Sequence, residues 1–569
     1  MNNIKIMDEN LCNKIAAGEV VEKIANVVKE LVENSIDAKS KKIEIKLLSS
    51  GTKSIKVIDD GVGMSKEDSL LSFSAHATSK IRNENDLYFI NTLGFRGEAL
   101  PSIASVSDID MQTSNGIEST HVLLKAGKIV KSEKGSCNKG TIIEVINIFY
   151  NTPVRLKFLR SLSSELANIV LFLEKLALSH QEISFILTND SNCVFSTTGS
   201  NNIAKTIFEV FGYNVSKNIH YIEAFNDDYS IKGYITNINI QKSNKSGIVT
   251  IVNNRVVNNN ILNKTIKNAY HTYMFDNKFP IVVLYIETDP TLIDVNIHPT
   301  KQDIKFSKMS SLNDLVFDEI RNKLLSINNT FKAYEDVIYD KQENSNTYNI
   351  SNESKVYDNM ELDFSCNEEE CSYNNEPSLI EPVGLALGTY LIAHSKDIMY
   401  IIDIHAANER INYEIYLNEL KKDKTSSISI LIPYIIELST SDFITITENI
   451  SVLTSLGFEL NPFGKNTYRI TSHPLWLKTG YEEDSIKTII DLVCSLSSSF
   501  DRVAFNDKVA ASLACKASIK ANSTLSLDEE EILIKRLFKC EFPYTCPHGR
   551  PTIIKYPIYE LEKLFKRAQ

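Results

Sequence analysis

Between Phe331 and Ile380 the chain carries twelve Asp and Glu against three Lys, with no Gly and many Asn, Ser and Tyr. Such a stretch cannot bury enough apolar surface to offset the entropy of ordering it, so one core cannot run through it. A disordered acidic linker is therefore expected over 331–380, with separately packed domains on either side. Two are expected upstream, over 1–214 and 215–330, and one downstream, over 381–569. A chain of 569 residues is also too long for a single core.

The same stretch explains most of the charge. It contributes −9 of a net −11, which leaves the remainder near −2, so basic faces and a DNA partner are not excluded. Hydrophobic residues at 43% and charged residues at 23% are ordinary for a soluble globular chain. No run has the length of a membrane span, and the opening Met1-Asn2-Asn3 lacks a secretory apolar segment, so a cytoplasmic protein is expected. Nine scattered cysteines do not make a disulfide framework. A cysteine beside a histidine then reads as a thiol or a metal ligand.

Periodicity places the elements. Val20–Asn34 reads as an amphipathic helix, and Lys42–Leu48 and Ser54–Ile58 alternate as strands. Strands are expected at Gly247–Asn253 and Ile281–Glu287. After the linker, Thr389–His394 and Ile398–Asp403 flank Ser395-Lys396-Asp397 as a hairpin, with a helix over about 406–420. The fold class expected is α/β throughout, with α+β sandwich domains.

A series of short blocks suggests a nucleotide site. Glu30 and Asn34 stand four apart on the first helix, so a carboxylate able to take a proton from water and an amide oxygen able to hold Mg²⁺ share one face. On that segment alone, a solvated helix face is an equal alternative. Val57 to Met64 is a strand running into the turn Asp59-Asp60-Gly61-Val62-Gly63; its glycines allow close backbone approach, and a fixed carboxylate suits an exocyclic amine. Thr78 and Lys80 follow in His76–Lys80. Leu93-Gly94-Phe95-Arg96-Gly97-Glu98-Ala99-Leu100 is a glycine-flanked loop opening a helix, whose N–H groups suit phosphate. Gly140-Thr141 completes the set.

In this order and spacing the blocks resemble the Bergerat ATP-binding fold. Ile15-Ala16-Ala17-Gly18-Glu19-Val20, the Gly94–Leu100 block and Phe149-Tyr150-Asn151-Thr152-Pro153-Val154-Arg155 are similar to the MutL branch, a family of DNA mismatch-repair proteins. The resemblance covers nearly all of the chain except the linker. It implies an N-terminal Bergerat ATPase domain, a second α/β domain, and a C-terminal α/β dimerisation domain. It also implies Glu30 as general base, Asn34 as Mg²⁺ ligand and Asp59 as adenine reader. Gly63, Thr78, Lys80, Gly94, Phe95, Arg96, Gly97 and Thr141 would bind ATP. Lys301, in Asn296-Ile297-His298-Pro299-Thr300-Lys301, would reach the γ-phosphate from the second domain, so that a cation senses the terminal phosphate across a domain boundary.

A second chemistry lies near the end. Asp403-Ile404-His405-Ala406-Ala407-Asn408-Glu409 sits where a strand meets a helix, Glu414 follows, and Cys546-Pro547-His548 stands far downstream. His405 and Glu409, four apart, could share one ion that Cys546 and His548 close from another segment. Carboxylate, imidazole and thiolate suit Zn²⁺ or Mn²⁺; a closed structural zinc site is the alternative from spacing alone. The segment is similar to the motif of MutL proteins that nick DNA, and Ala514-Cys515-Lys516 and Phe565-Lys566-Arg567 match companion motifs. The resemblance implies a metal-dependent nicking endonuclease at Asp403, His405, Glu409, Cys515, Cys546 and His548. Ile404 stands where Gln is usual.

The family implies a homodimer, DNA, a mismatch-recognition partner of the MutS type and a sliding clamp. Ile428 replaces the Gln that begins the clamp-binding peptide Ile428–Pro433. Arg255, in Val252-Asn253-Asn254-Arg255, matches a family signature, and Lys264 and Lys267 join it as candidate DNA contacts; Asn260 occupies a position often basic. Any such binding should be salt-sensitive and blind to sequence. Other classes fit less well. A topoisomerase needs a further acidic metal domain and an active-site tyrosine region, and a chaperone or non-nicking adaptor leaves the Asp403 and Cys546 clusters without a purpose.

Overall fold

The computed structural model describes residues 21–80, 92–94, 97–159, 161–271, 274, 278–294, 304–335, 380–422, 425–496, 501–517, 525–565 and 567. The Ile15–Val20 block, Phe95, Arg96, Lys301 and 336–379 of the expected linker lie outside the described residues. The chain forms two compact units, Met1–Leu325 with Leu420–Val509, and Ser326–Glu419 with Ala510–Gln569. The segment expected as one C-terminal domain, 381–569, therefore contributes to both.

The first unit opens with helix α1, Ile24–Asp37. Ile24, Val27, Val28, Leu31 and Val32 recur at three- and four-residue intervals and are buried, which makes this stripe the packing face. The helix ends where Lys39 turns to a positive φ of 59°. Eight strands follow: β1 Lys42–Leu48, β2 Ser54–Asp59, β3 Asp108–Ser114, β4 Ser119–Lys125, β5 Lys128–Lys134, β6 Gly140–Ile146, β7 Ser184–Asn189 and β8 Asn192–Ser196. They lie in the order β5-β4-β3-β6-β2-β1-β7-β8. Only the β1–β7 pairing is parallel. Ile43, Ile45 and Leu47 of β1 are buried in alternation, and they share one apolar cluster with α1 and with Ile169, Val170 and Leu173 of helix α2, Leu162–Ser179. Helices on a mixed sheet make a two-layer α/β sandwich.

A second sheet has the strand order Arg255–Val257, Ile248–Val252, Val282–Thr288, Tyr229–Thr236, Ile219–Phe225. Helix α3, Asn260–Tyr270, is capped by the Asn259 carboxamide, which accepts the Ile261 and Leu262 N–H groups. Its Leu262 and Ile266 pack with Leu312, Val316 and Ile320 of the helix Met309–Glu335. That helix continues through the first five residues of the expected linker. Leu420–Val509 adds a three-stranded sheet ordered Ser427–Glu437, Thr467–Pro474, Glu459–Pro462. Pairing slips between Ser429 and Tyr434, and within that slip Leu431 and Ile432 are 97% and 78% exposed.

The second unit is built on an antiparallel sheet of Glu381–Ala386, Tyr390–His394, Ile398–Asp403 and Ile553–Pro557. Helix α4, Ile404–Leu420, starts directly from the third strand. Its Ile404, Ala407 and Ile411 pack with Leu391, Ile402, Leu533 and Leu537. Helix α5, Arg502–Ala517, carries Cys515 near its end. Among the described residues no helix is long and apolar enough to cross a membrane.

Candidate active sites

With one stripe of α1 committed to the core, Glu30, Asn34 and Asp37 share another. Asp59 closes β2 facing the same helix. Its Oδ2 accepts the Ser35 hydroxyl at 2.9 Å, and its Oδ1 accepts the Gly61 N–H at 2.9 Å and the Ser40 hydroxyl at 3.3 Å. Burial pushes its carboxyl up, against these hydrogen bonds. A carboxylate held this way cannot swing, which suits recognition of one amine. Thr141, on β6 opposite Asp59, is 7% exposed, and its hydroxyl lies 3.0 Å from that of Thr113.

Two glycines are required by space as well as by conformation. Gly63 has φ +68°, and a Cβ there would collide with the Ser114 carbonyl. Gly97 has φ +66°, and a Cβ there would stand 2.5 Å from the Ala77 oxygen. Thr78 is exposed and accepts the Lys80 N–H at 3.2 Å. The Lys80 ammonium donates to Asn34 Oδ1 at 3.0 Å and to Asp37 Oδ2 at 2.5 Å. The Asp37 carboxylate also accepts the N–H groups of Leu93 at 2.9 Å and Gly94 at 3.0 Å. Thus Asn34, Lys80 and Gly94 meet at one place, joined by Asp37, to which the sequence reading gave no role. Its signal was present: it stands three residues after Asn34 on the same stripe.

The three candidate DNA contacts differ. Lys264 is exposed on α3, while Lys267 is partly buried with its ammonium 5.2 Å from the centre of the Phe279 ring. Arg255 is 8% exposed, and its guanidinium donates to the Thr92 carbonyl.

In the second unit, Glu409, Cys515 and His548 converge so that one ligand atom from each lies within 4.8 Å of the others. Glu409 Oε1 lies 3.1 Å from Cys515 Sγ and 3.3 Å from His405 Nε2, and its Oε2 lies 3.6 Å from His548 Nδ1. Burial alone would raise the Glu409 carboxyl. The His405 and Cys515 hydrogen bonds, with the charges of His405 and His548, bring it down instead to about 2. Burial, then Glu409 itself, pushes the Cys515 thiol up. Cys546 is 2% exposed, and its sulfur accepts the His548 N–H at 3.4 Å. The side chains of His405 and His548 are 45% and 39% exposed, so the cluster is open to solvent on one side.

Asp403 is placed otherwise. Its Oδ1 accepts the Ala406 N–H at 3.0 Å, which caps the start of α4. Two residues hold the distant loop against α4. The Glu414 carboxylate accepts the Glu541 N–H at 2.8 Å and the Phe542 N–H at 3.2 Å, and Arg410 donates to the Thr545 carbonyl at 2.5 Å. Sequence reasoning noted Glu414 without this task and missed Arg410.

Comparison with known proteins gives three family matches in chain order. Residues 22–146 match the histidine kinase-, DNA gyrase B- and HSP90-like ATPase, 207–325 match the DNA mismatch repair protein, C-terminal domain, and 383–525 match the MutL C terminal dimerisation domain. The DNA mismatch repair protein MutL of Geobacillus sp. (strain WCH70) is 38% identical over 619 residues, covering 100% of both chains. The chain belongs to the MutL family of DNA mismatch-repair proteins. MutL of Bacillus anthracis (strain CDC 684 / NRRL 3495) is 37% identical, again over 100% of each chain. A solved structure described as the N terminal domain of a DNA repair protein is 26% identical, covers 57% of this chain and 99% of that one, and has a TM-score of 0.48. This MutL chain thus has an ATPase domain containing the Glu30 site and a C-terminal dimerisation domain whose match includes Asp403, Glu409 and Cys515.

Proposed function

We propose that this chain is an ATP-switched matchmaker in mismatch repair, a homodimer that links a MutS-type recognition protein to strand removal and itself nicks DNA in its C-terminal half. In the ATPase domain Glu30 takes the proton of the attacking water, Asn34 Oδ1 would hold Mg²⁺ and Asp59 reads adenine. Lys80 and the N–H groups of the Gly94 segment receive phosphate, and Lys301 answers to the γ-phosphate from the second domain. Nucleotide phosphate competes with Asn34 and Asp37 for the Lys80 ammonium.

The observation that carries the nicking reading is the convergence of Glu409, Cys515 and His548 with one side open. Oxygen, sulfur and nitrogen donors at this separation fit Zn²⁺, and Mn²⁺ through the carboxylate and imidazole. Glu409, Cys515 and His548 would hold the ion, with His405 and Cys546 beside them. A bound ion supplies Lewis-acid stabilisation and an activated water for phosphodiester cleavage. Asp403 orients α4 by capping it and keeps one oxygen for the reaction. Homodimerisation brings two such clusters to one DNA. The exposed Leu431 and Ile432 support a sliding-clamp contact at Ile428–Pro433. The test is metal content and nicking of supercoiled DNA by the full-length protein. Metal bound tightly without any nicking would favour an adaptor with a structural metal.

A further inference from the structure

We infer that Arg255 is a positioning residue that ties the nucleotide site to the second sheet, rather than a contact for DNA. The inference rests on the proposed ATP site at Glu30 and Asn34 and concerns how that site is coupled.

The argument starts from the three residues Thr92, Leu93 and Gly94. Their polar backbone groups are claimed from two sides. The Thr92 carbonyl accepts from Arg255, which belongs to the second sheet. The next two N–H groups, those of Leu93 and Gly94, donate to Asp37 at the end of α1. Asp37 is paired with Lys80, and Lys80 reaches Asn34. A continuous chain of polar contacts therefore runs from Asn34 to a strand of the second sheet. Every member is short-range, and the two carboxylate oxygens of Asp37 act on adjacent peptide groups.

Arg255 is held for this task by its hairpin. Val252 pairs with Arg255 across a turn in which Asn253 and Asn254 both take positive φ, 46° and 66°, the pattern that asparagine tolerates in tight hairpins. The turn is fixed to the end of α2, where the Ser179 hydroxyl donates to the Asn254 carbonyl at 2.7 Å. One strand away, the Tyr285 hydroxyl donates to the Leu178 carbonyl at 2.6 Å. Burial works against the charge of Arg255, and the Glu33 and Asp37 carboxylates offset that. A guanidinium this enclosed cannot meet a duplex phosphate without leaving Thr92. When triphosphate draws Lys80 off Asp37, Asp37 changes its hold on Leu93 and Gly94, and Arg255 passes the displacement to its strand.

The experiment uses full-length protein with Arg255→Gln, Arg255→Lys, Asp37→Asn and the Arg255→Gln/Asp37→Asn double variant. ATP turnover and KM are measured beside nucleotide-free binding of a short duplex across a salt series. The expected result for Arg255→Gln is a fall in kcat/KM for ATP of about 10- to 100-fold, the worth of one charge-assisted hydrogen bond. Its salt slope should match wild type. Arg255→Lys should recover part of the loss, and the double variant should fall short of the product of the two single losses, because both act through Thr92–Gly94. A salt slope lowered by about 0.9 with ATP turnover unchanged would mark a phosphate contact and overturn the inference. Losses that multiply independently would overturn it as well. Should Arg255→Gln fail to fold, Arg255→Lys with Asp37→Asn gives the same coupling measurement. A wild-type protein that hydrolyses no ATP would refute the proposed ATP site itself, an outcome distinct from these.

Discussion

Replacing Glu409 with Gln keeps the shape of the side chain and removes the charge around which the C-terminal cluster is organised. The carboxyl stands at about 2 rather than its usual 4.5. At about 1.36 kcal/mol per pH unit, that is roughly 3 kcal/mol of preference for the charged form. His405 and His548 are 45% and 39% exposed, so solvent screening should reduce it to about 1–2 kcal/mol. For a carboxyl held below its unfolded value, this stabilisation is present above pH 4.5 and is lost as pH falls through about 2. Metal-free Glu409→Gln should therefore lack this one contribution to the wild-type loss of stability over that acid range. The larger effect is on metal. A weakening of at least about 100-fold is expected, the upper bound for removing even an outer-shell partner. At free metal about 100-fold above the wild-type Kd, wild type gains about 2.7 kcal/mol and such a variant about 0.4 kcal/mol. Thermal unfolding with and without Zn²⁺ or Mn²⁺, beside metal analysis after dialysis, reads both effects. Equal metal-dependent shifts in the two proteins would refute the assignment of Glu409 as a ligand.

Glu30→Ala should bind nucleotide but hydrolyse it about two to four orders of magnitude more slowly, as expected on losing a general base; turnover near wild type would place the chemistry elsewhere. Lys301→Ala should weaken ATP-driven association of the N-terminal domains, read by crosslinking with a non-hydrolysable analogue, with little effect on ADP affinity. Equal losses for ATP and ADP would make Lys301 a merely structural residue.

Much of this was legible in the sequence because it is local. The α1 stripe, the alternation in β1 and the hairpin before Asp403 are set by periods of 3.6 and 2, and the observed bounds Ile24–Asp37, Tyr390–His394 and Ile398–Asp403 lie within a few residues of those expected. What sequence could not supply is pairing between distant groups. Asp37 acquires its task only because Leu93 and Gly94, more than fifty residues later, bring their N–H groups to it. Arg255 reads as a surface cation until its hairpin turns it inward to Thr92. Asp403 reads as a site residue, and the sequence reading did not foresee that its Oδ1 also caps α4, a role that any strand-to-helix junction invites.

The central claim is that the Glu409–Cys515–His548 cluster nicks DNA. The most direct test incubates full-length protein with supercoiled circular DNA and Mn²⁺, beside an Asp403→Asn protein prepared identically. Asparagine caps a helix as well as aspartate does, so folding, dimerisation and ATP turnover should survive the substitution. Wild type is predicted to convert the circle to its nicked form and to stop on chelation, and Asp403→Asn to leave it supercoiled. Equal Mn²⁺-dependent nicking by both, with contaminating nuclease excluded, would contradict the role given to Asp403, and no nicking by either would contradict the claim.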